Sequence, residues 1–256
     1  MSTRAKSGKY DIFTKIALVL VLLIVGFLII LPLANILIFS SQPSGSAIVK
    51  GAFSDVVTRT IIWNTIKLGL SVAALGTLLG FIMAYTQARV EFRGKKILHI
   101  INLVPIISPP FAFATAIIVL FGRSGIITRG VFDWRPTLYG YPGLVLVLTL
   151  SFFPIAYMNL LGMLRSLDPA LDEAGASLGA NKGRIFRTVT LPLLIPGFAG
   201  SFLLLFIESI ADLANPLIIG GSYTVLASRA YMAINGDYDI SLAAGYSLLL
   251  LPVLVL

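Results

Sequence analysis

Few side chains in this 256-residue chain have types and spacing suited to chemistry. The most suggestive group is "GASLG" at residues 175–179, with the G-x-S-x-G spacing of a hydrolase nucleophile elbow and Ser177 at its centre. An elbow of that kind needs a strand before the serine, a histidine base and a carboxylate to orient the base. The residues preceding Ser177 read as helix, and nothing aims the single histidine, His99, at it. Ser177 is therefore expected to be a bystander. The absence of cysteine excludes disulfides, thiolate metal sites and thiol catalysis, and one histidine cannot form a histidine metal cluster. "RGKK" at residues 93–96 lacks the first glycine and the hydroxyl residue of a phosphate-binding loop, so any ATP hydrolysis must belong to another subunit.

Two carboxylates remain. Glu208 and Asp212 lie inside an apolar segment, four residues apart, a spacing that puts both on one face of a continuous helix. A charge within a membrane is costly and usually faces a pathway or a partner. The pair fits a hard-oxygen contact for a passing cation or a docking contact for a substrate-delivery protein. It equally fits a structural pairing with Lys67 or a wet interfacial position.

The elements that position these residues follow from composition. Hydrophobic residues make up 57% of the chain and charged residues 12%, against about 25% charged in soluble domains. The bilayer is the expected solvent. A crossing takes about 20 apolar residues, and six segments qualify, near residues 16–39, 61–85, 98–121, 138–164, 189–213 and 241–256. The expected fold is all-α, a polytopic transmembrane helical bundle forming one domain. The first run is longer than the core of a cleavable signal peptide and reads as a retained helix. Pro105, Pro109 and Pro110 interrupt the third span, either as a packing kink or where a cavity takes up the freed backbone groups. Gly76 and Gly80 give the second span a close-approach face. The last run stops without a flanking charge, which suggests one part of a longer polypeptide.

The net charge of +8 is spread through short loops, the pattern of a membrane protein rather than of a nucleic-acid binder. Arg4, Lys6, Lys9 and Lys15, then Arg89, Arg93, Lys95 and Lys96, then Arg165, Lys182, Arg184 and Arg187 form the dense set. Positive loops face the cytoplasm, so the N-terminus and residues 166–188 are expected there. The sparser set, Lys50, Arg59, Arg123, Arg129, Arg135 and Arg229, with Asp237 and Asp239, falls outside. These outer charges suit either contact with a binding protein or plain solvation, and Tyr157 and Asn159 of the fourth span are candidates to line a path.

The most polar stretch, "LDEAGASLGANKGRIFRTVTLP" at residues 171–192, has its own logic. Asp168 is a favoured N-cap and Pro169 a favoured first helical residue. Asp172 and Glu173 sit where the helix dipole favours carboxylates, and Gly179 can close the helix in the left-handed conformation. The result is a helix of about 10 residues, about 15 Å long, too short to be stable alone. Ala174, Gly175, Ala176 and Ser177 let another backbone come close, and Leu171 and Leu178 supply an apolar face, so it reads as a plug for a partner's groove. Asn181 can cap a second helix that leads to the fifth span.

This stretch resembles the loop of the form E-A-A-x3-G-x9-I-x-L-P in inner-membrane permeases of ABC importers. Glu173, Ala174, Gly179, Leu191 and Pro192 match it in register, while Gly175 replaces the second alanine and Val189 the isoleucine. The resemblance extends to "NTIKLGLSVAALGTLLGFIMAYTQAR", and "FIESIADLANPLIIGG" and "YMAINGDYDISLAAGYSLLLL" look most like the iron(III)-type branch, whose members often fuse two permease halves. It implies a multi-pass protein of the bacterial inner membrane whose loop, through Glu173, Ala174, Gly175, Gly179, Leu191 and Pro192, couples to a dimer of ATP-binding cassette subunits that hold the ATP and magnesium. The other implied partners are a periplasmic or extracellular substrate-binding protein, a second permease half in the same chain or another copy, and membrane lipid. The implied substrate is iron(III), with polyamine, thiamine, phosphonate or an oxyanion as alternatives. A secondary transporter or channel would also carry broken spans and intramembrane carboxylates, but has no use for a docking helix.

Overall fold

The computed structural model describes residues 12–133 and 138–255, so Arg4, Lys6, Lys9 and Arg135 lie outside the described residues. Its first helix, α1 (Ile12–Ser40), is strongly apolar and runs along the outside of the bundle against the last helix. A short helix, α2 (Pro43–Lys50), comes next. Asp55 then starts α3 (Val56–Arg89) by accepting the Thr58 amide at 2.7 Å, and the 34 residues of α3 form the central strut.

The third expected span is not one helix. It is α4 (Lys95–Ile107) and α5 (Pro110–Phe121), meeting at 110°. Pro105 sits inside α4 without ending it. The break falls at Ser108 and Pro109, both extended with ψ near 140°, because a residue before proline is driven out of the α region and two prolines stand in succession here.

The fourth span is α6 (Tyr141–Ser166). The polar stretch forms α7 (Pro169–Ser177) and the single turn α8 (Lys182–Ile185). A π-turn (Phe186–Thr190) then joins α8 without interruption to the fifth span, α9 (Leu191–Ala211). Two short helices that hydropathy did not predict, α10 (Ala214–Ile219) and α11 (Leu226–Asn235), precede the final helix α12 (Ile240–Val255). The described chain is thus an all-α bundle with four helices long and apolar enough to cross a membrane, and a fifth crossing if the bent pair is one span. The sixth expected span is represented by α12, whose 16 residues give about 24 Å of helix.

The core is the contact of α3 with α6 and α9, filled by Tyr157, Leu160, Leu194 and Leu205, all fully buried. Glycine makes it possible. A Cβ on Gly80 would lie 2.7 Å from the Ala156 Cβ and 2.8 Å from the Tyr157 amide nitrogen, and one on Gly76 would strike Leu205. The expected close-approach face therefore meets two partners at once, α6 at Gly80 and α9 at Gly76.

Candidate functional site

The α7 loop is built by local rules. The Asp168 carboxylate accepts the Ala170 amide at 2.9 Å, capping α7. At the other end Gly179 has φ +77°. Its amide donates to the Ala176 carbonyl, and the Ala180 amide donates to the Gly175 carbonyl, which together close the helix in a Schellman turn. The Asn181 side chain accepts the Arg184 amide at 2.8 Å and starts α8. Ser177 donates its hydroxyl to the Glu173 carbonyl one turn back, as a helical serine does.

Beyond α8 the backbone departs from a plain helix. Pro192 has no N–H to give the Thr188 carbonyl, and the backbone widens so that the Leu191 amide bonds to the Phe186 carbonyl, five residues back. Leu191 and Pro192, two of the motif residues, therefore mark the joint between the loop and α9.

None of α7 is buried in this chain. Glu173, Ala174 and Ala176 are exposed, and Leu178 is 88% exposed. Asp172 and Gly175 are half-buried, and a Cβ added to Gly175 would be 2.9 Å from Ile185 Cγ1. The alanine of the E-A-A form would press on Ile185 at this position. Between the loop and the bundle lies a cleft of about 400 Å³ lined in part by Tyr85, Arg89, Asp172, Glu173 and Lys182. Across it Arg89, the last residue of α3, donates to Asp172 at 2.5 Å. Phe186 packs against Phe81 and Tyr85, with ring centroids 6.2 and 5.4 Å apart.

The two carboxylates of the fifth span have different surroundings. α9 ends at Ala211, and Asp212 turns to accept the Asn215 amide at 3.2 Å and its side-chain nitrogen at 2.7 Å. Glu208 remains on the helix and is exposed. Neither pairs with Lys67, whose ammonium stands 4.4 Å from the Tyr141 ring centroid. Tyr157 and Asn159 are engaged as well. Tyr157 is buried with its hydroxyl 2.5 Å from His99 Nδ1, tying α6 to α4. Asn159 donates to the Gly197 carbonyl and Ser201 hydroxyl, tying α6 to α9.

At the end of the bundle far from α7, three of the charged residues are used internally. Arg229 pairs with Asp237 at 2.7 Å, and Asp239 accepts the Leu242 amide at the start of α12. That amide, with the Ser44 hydroxyl, holds the Asp239 carboxyl below its ordinary range. Among the described residues no group of three or more acidic, histidine or cysteine side chains is placed to hold a metal ion.

A bundle of helices long and apolar enough to cross a membrane, with a capped and exposed loop before the fifth span, is the architecture of a polytopic membrane protein. The chain belongs to the family of binding-protein-dependent transport system inner membrane components, whose model matches residues 76–256. It is 32% identical over 263 residues to the ferric transport system permease protein FbpB of Actinobacillus pleuropneumoniae, covering 98% of this chain. The chain spans 38% of that relative's length. It is also 30% identical over 183 residues to the molybdenum transport system permease protein ModB of Escherichia coli, covering 68% of this chain and 80% of the relative. In structure it resembles a chain of a bacterial ABC transporter involved in the import of the acidic polysaccharide alginate. The TM-score is 0.72 at 18% identity, over 95% of this chain and 93% of that one, a likeness of fold.

Proposed function

We propose that this chain is a membrane-spanning half of an ATP-driven importer, and that α7 is the element by which a separate ATPase subunit moves it. The carrying observation is the loop itself. α7 is capped at both ends, buries none of its residues and presents Ala174, Ala176 and Leu178 outward. A helix this short gains its stability by docking, and small side chains around one large apolar one suit a groove. Glu173 adds a carboxylate near the helix start.

In this reading the end bearing α7 faces the cytoplasm, as the Lys/Arg distribution suggests. ATP binding closes two ATPase subunits and carries α7 with them. The helical segment Lys182–Ala211 tilts in response, and the opposite end opens to a substrate-binding protein. A second permease half completes the pathway. This chain needs no cofactor of its own.

Iron(III) is the substrate we assign, supported by identity to the ferric permease over nearly the whole chain. Glu208, the free carboxylate of α9, is the hard-oxygen contact that suits it, while Asp212 holds the turn after the helix. The molybdenum-type relative favours a second reading, an oxyanion, and an anion would be repelled by Glu208. Uptake into vesicles containing the complete complex tests both. ATP-dependent iron(III) uptake, insensitive to collapse of ion gradients, is expected. Uptake driven by a gradient alone would point to a secondary transporter, and uptake of molybdate instead of iron would select the second reading.

A further inference from the structure

We propose that Arg89 and Phe186 are positioning residues that clamp the α7 loop to α3, so that a movement of α7 reaches the second span as well as the fifth. This rests on the reading of α7 as the docking element. The covalent route from α7 leads only to α9, and it passes through the π-turn, where hydrogen bonding departs from the helical pattern. A push delivered by that route alone would be partly taken up at the joint.

The structure supplies a second route. Phe81, Tyr85 and Arg89 succeed one another at intervals of four along the last turns of α3, which places them on one face. All three meet the loop. Arg89 binds Asp172 in the first turn of α7, each side chain one-third exposed. Tyr85 meets the Phe186 ring edge-on at 78°, and Phe81 lies stacked on it at 30°. Phe81 also packs on Phe198 of α9 at 4.9 Å between centroids. One aromatic cluster thus joins α3, the π-turn and α9.

The ion pair is placed where both helix dipoles favour it. Its cation ends α3 and its anion begins α7. A cleft of about 400 Å³ lies beside it. The loop does not lie flat on the bundle but meets it through the ion pair and the aromatic wedge.

The test uses the complete complex, co-purified with its ATPase and placed in vesicles, and reads substrate transported per ATP hydrolysed. Arg89→Ala is expected to lower that ratio about tenfold, within the usual range of coupling between sites. Arg89→Lys, which keeps the charge, is expected to retain most of it. Exchanging the charges, Arg89→Asp with Asp172→Arg, is expected to recover part of what Arg89→Ala loses. Phe186→Ala is expected to lower the ratio and Phe186→Leu to preserve more. An unchanged ratio in both Arg89→Ala and Phe186→Ala overturns the clamp, and so does an exchange variant no better than Arg89→Ala. Cross-linking from Ala174 to the ATPase in the same preparations separates the two ideas. Capture with an unchanged ratio sinks the clamp alone, whereas no capture sinks the docking reading beneath it.

Discussion

Gly175 and Ile185 are packed so closely that a methyl group on the glycine would stand 2.9 Å from Ile185 Cγ1 and 3.2 Å from its Cδ1. The contact holds α7 against α8. Gly175→Ala would restore the residue usual at this position, yet it should overpack the loop by about 1–3 kcal/mol. Reduced uptake with normal membrane insertion is expected, and Ile185→Ala should restore it by removing both obstructing atoms. Transport assays on the single and double variants check this.

Gly179 takes φ +77° at the end of α7. A side chain in that conformation costs roughly 1–2 kcal/mol, and more if β-branched. No atom lies near an added Cβ, so the penalty is conformational rather than a clash. Gly179→Val should therefore misdirect the loop without disturbing the bundle. The expected outcome is wild-type amounts of protein in the membrane with transport strongly reduced, and Gly179→Asn, which tolerates this region better, should fall between.

Glu208 and Asp212 should separate on mutation. Glu208→Gln is expected to reduce iron uptake several-fold without altering the thermal stability of the purified protein. Asp212→Asn removes a charged acceptor from two Asn215 donors, a loss of about 1–3 kcal/mol, and should lower stability first and uptake only in consequence. Melting curves and uptake rates on the same preparations distinguish the two.

How much of this is legible in the sequence depends on how local each feature is. Asp168, Gly179 and Asn181 are readable because a cap acts within three or four residues, and all three do what their types suggest. The resemblance to importer permeases rests on the same stretch and is correct at the level of the family. The prolines of the third span announce a break, but only the Pro109–Pro110 pair makes it, and the 110° angle depends on how both halves pack. The Glu208–Asp212 spacing does not reveal that Asp212 caps the end of α9 and is engaged by Asn215. α10 and α11 leave little trace in the sequence, since six and ten residues give too little periodicity to stand out. The Arg89–Asp172 pair spans 83 positions, and no sequence pattern joins residues that only the fold brings together.

The most direct measurement of the docking reading exploits the absence of cysteine in this chain. A single cysteine at Ala174 would be the only thiol among these 256 residues, and a thiol-reactive photo-cross-linker attached there reports what α7 touches. Capture of an ATP-hydrolysing subunit, with a yield that changes between nucleotide-free and ATP-bound states, is predicted. A label that attaches efficiently yet captures lipid alone in both states would contradict it.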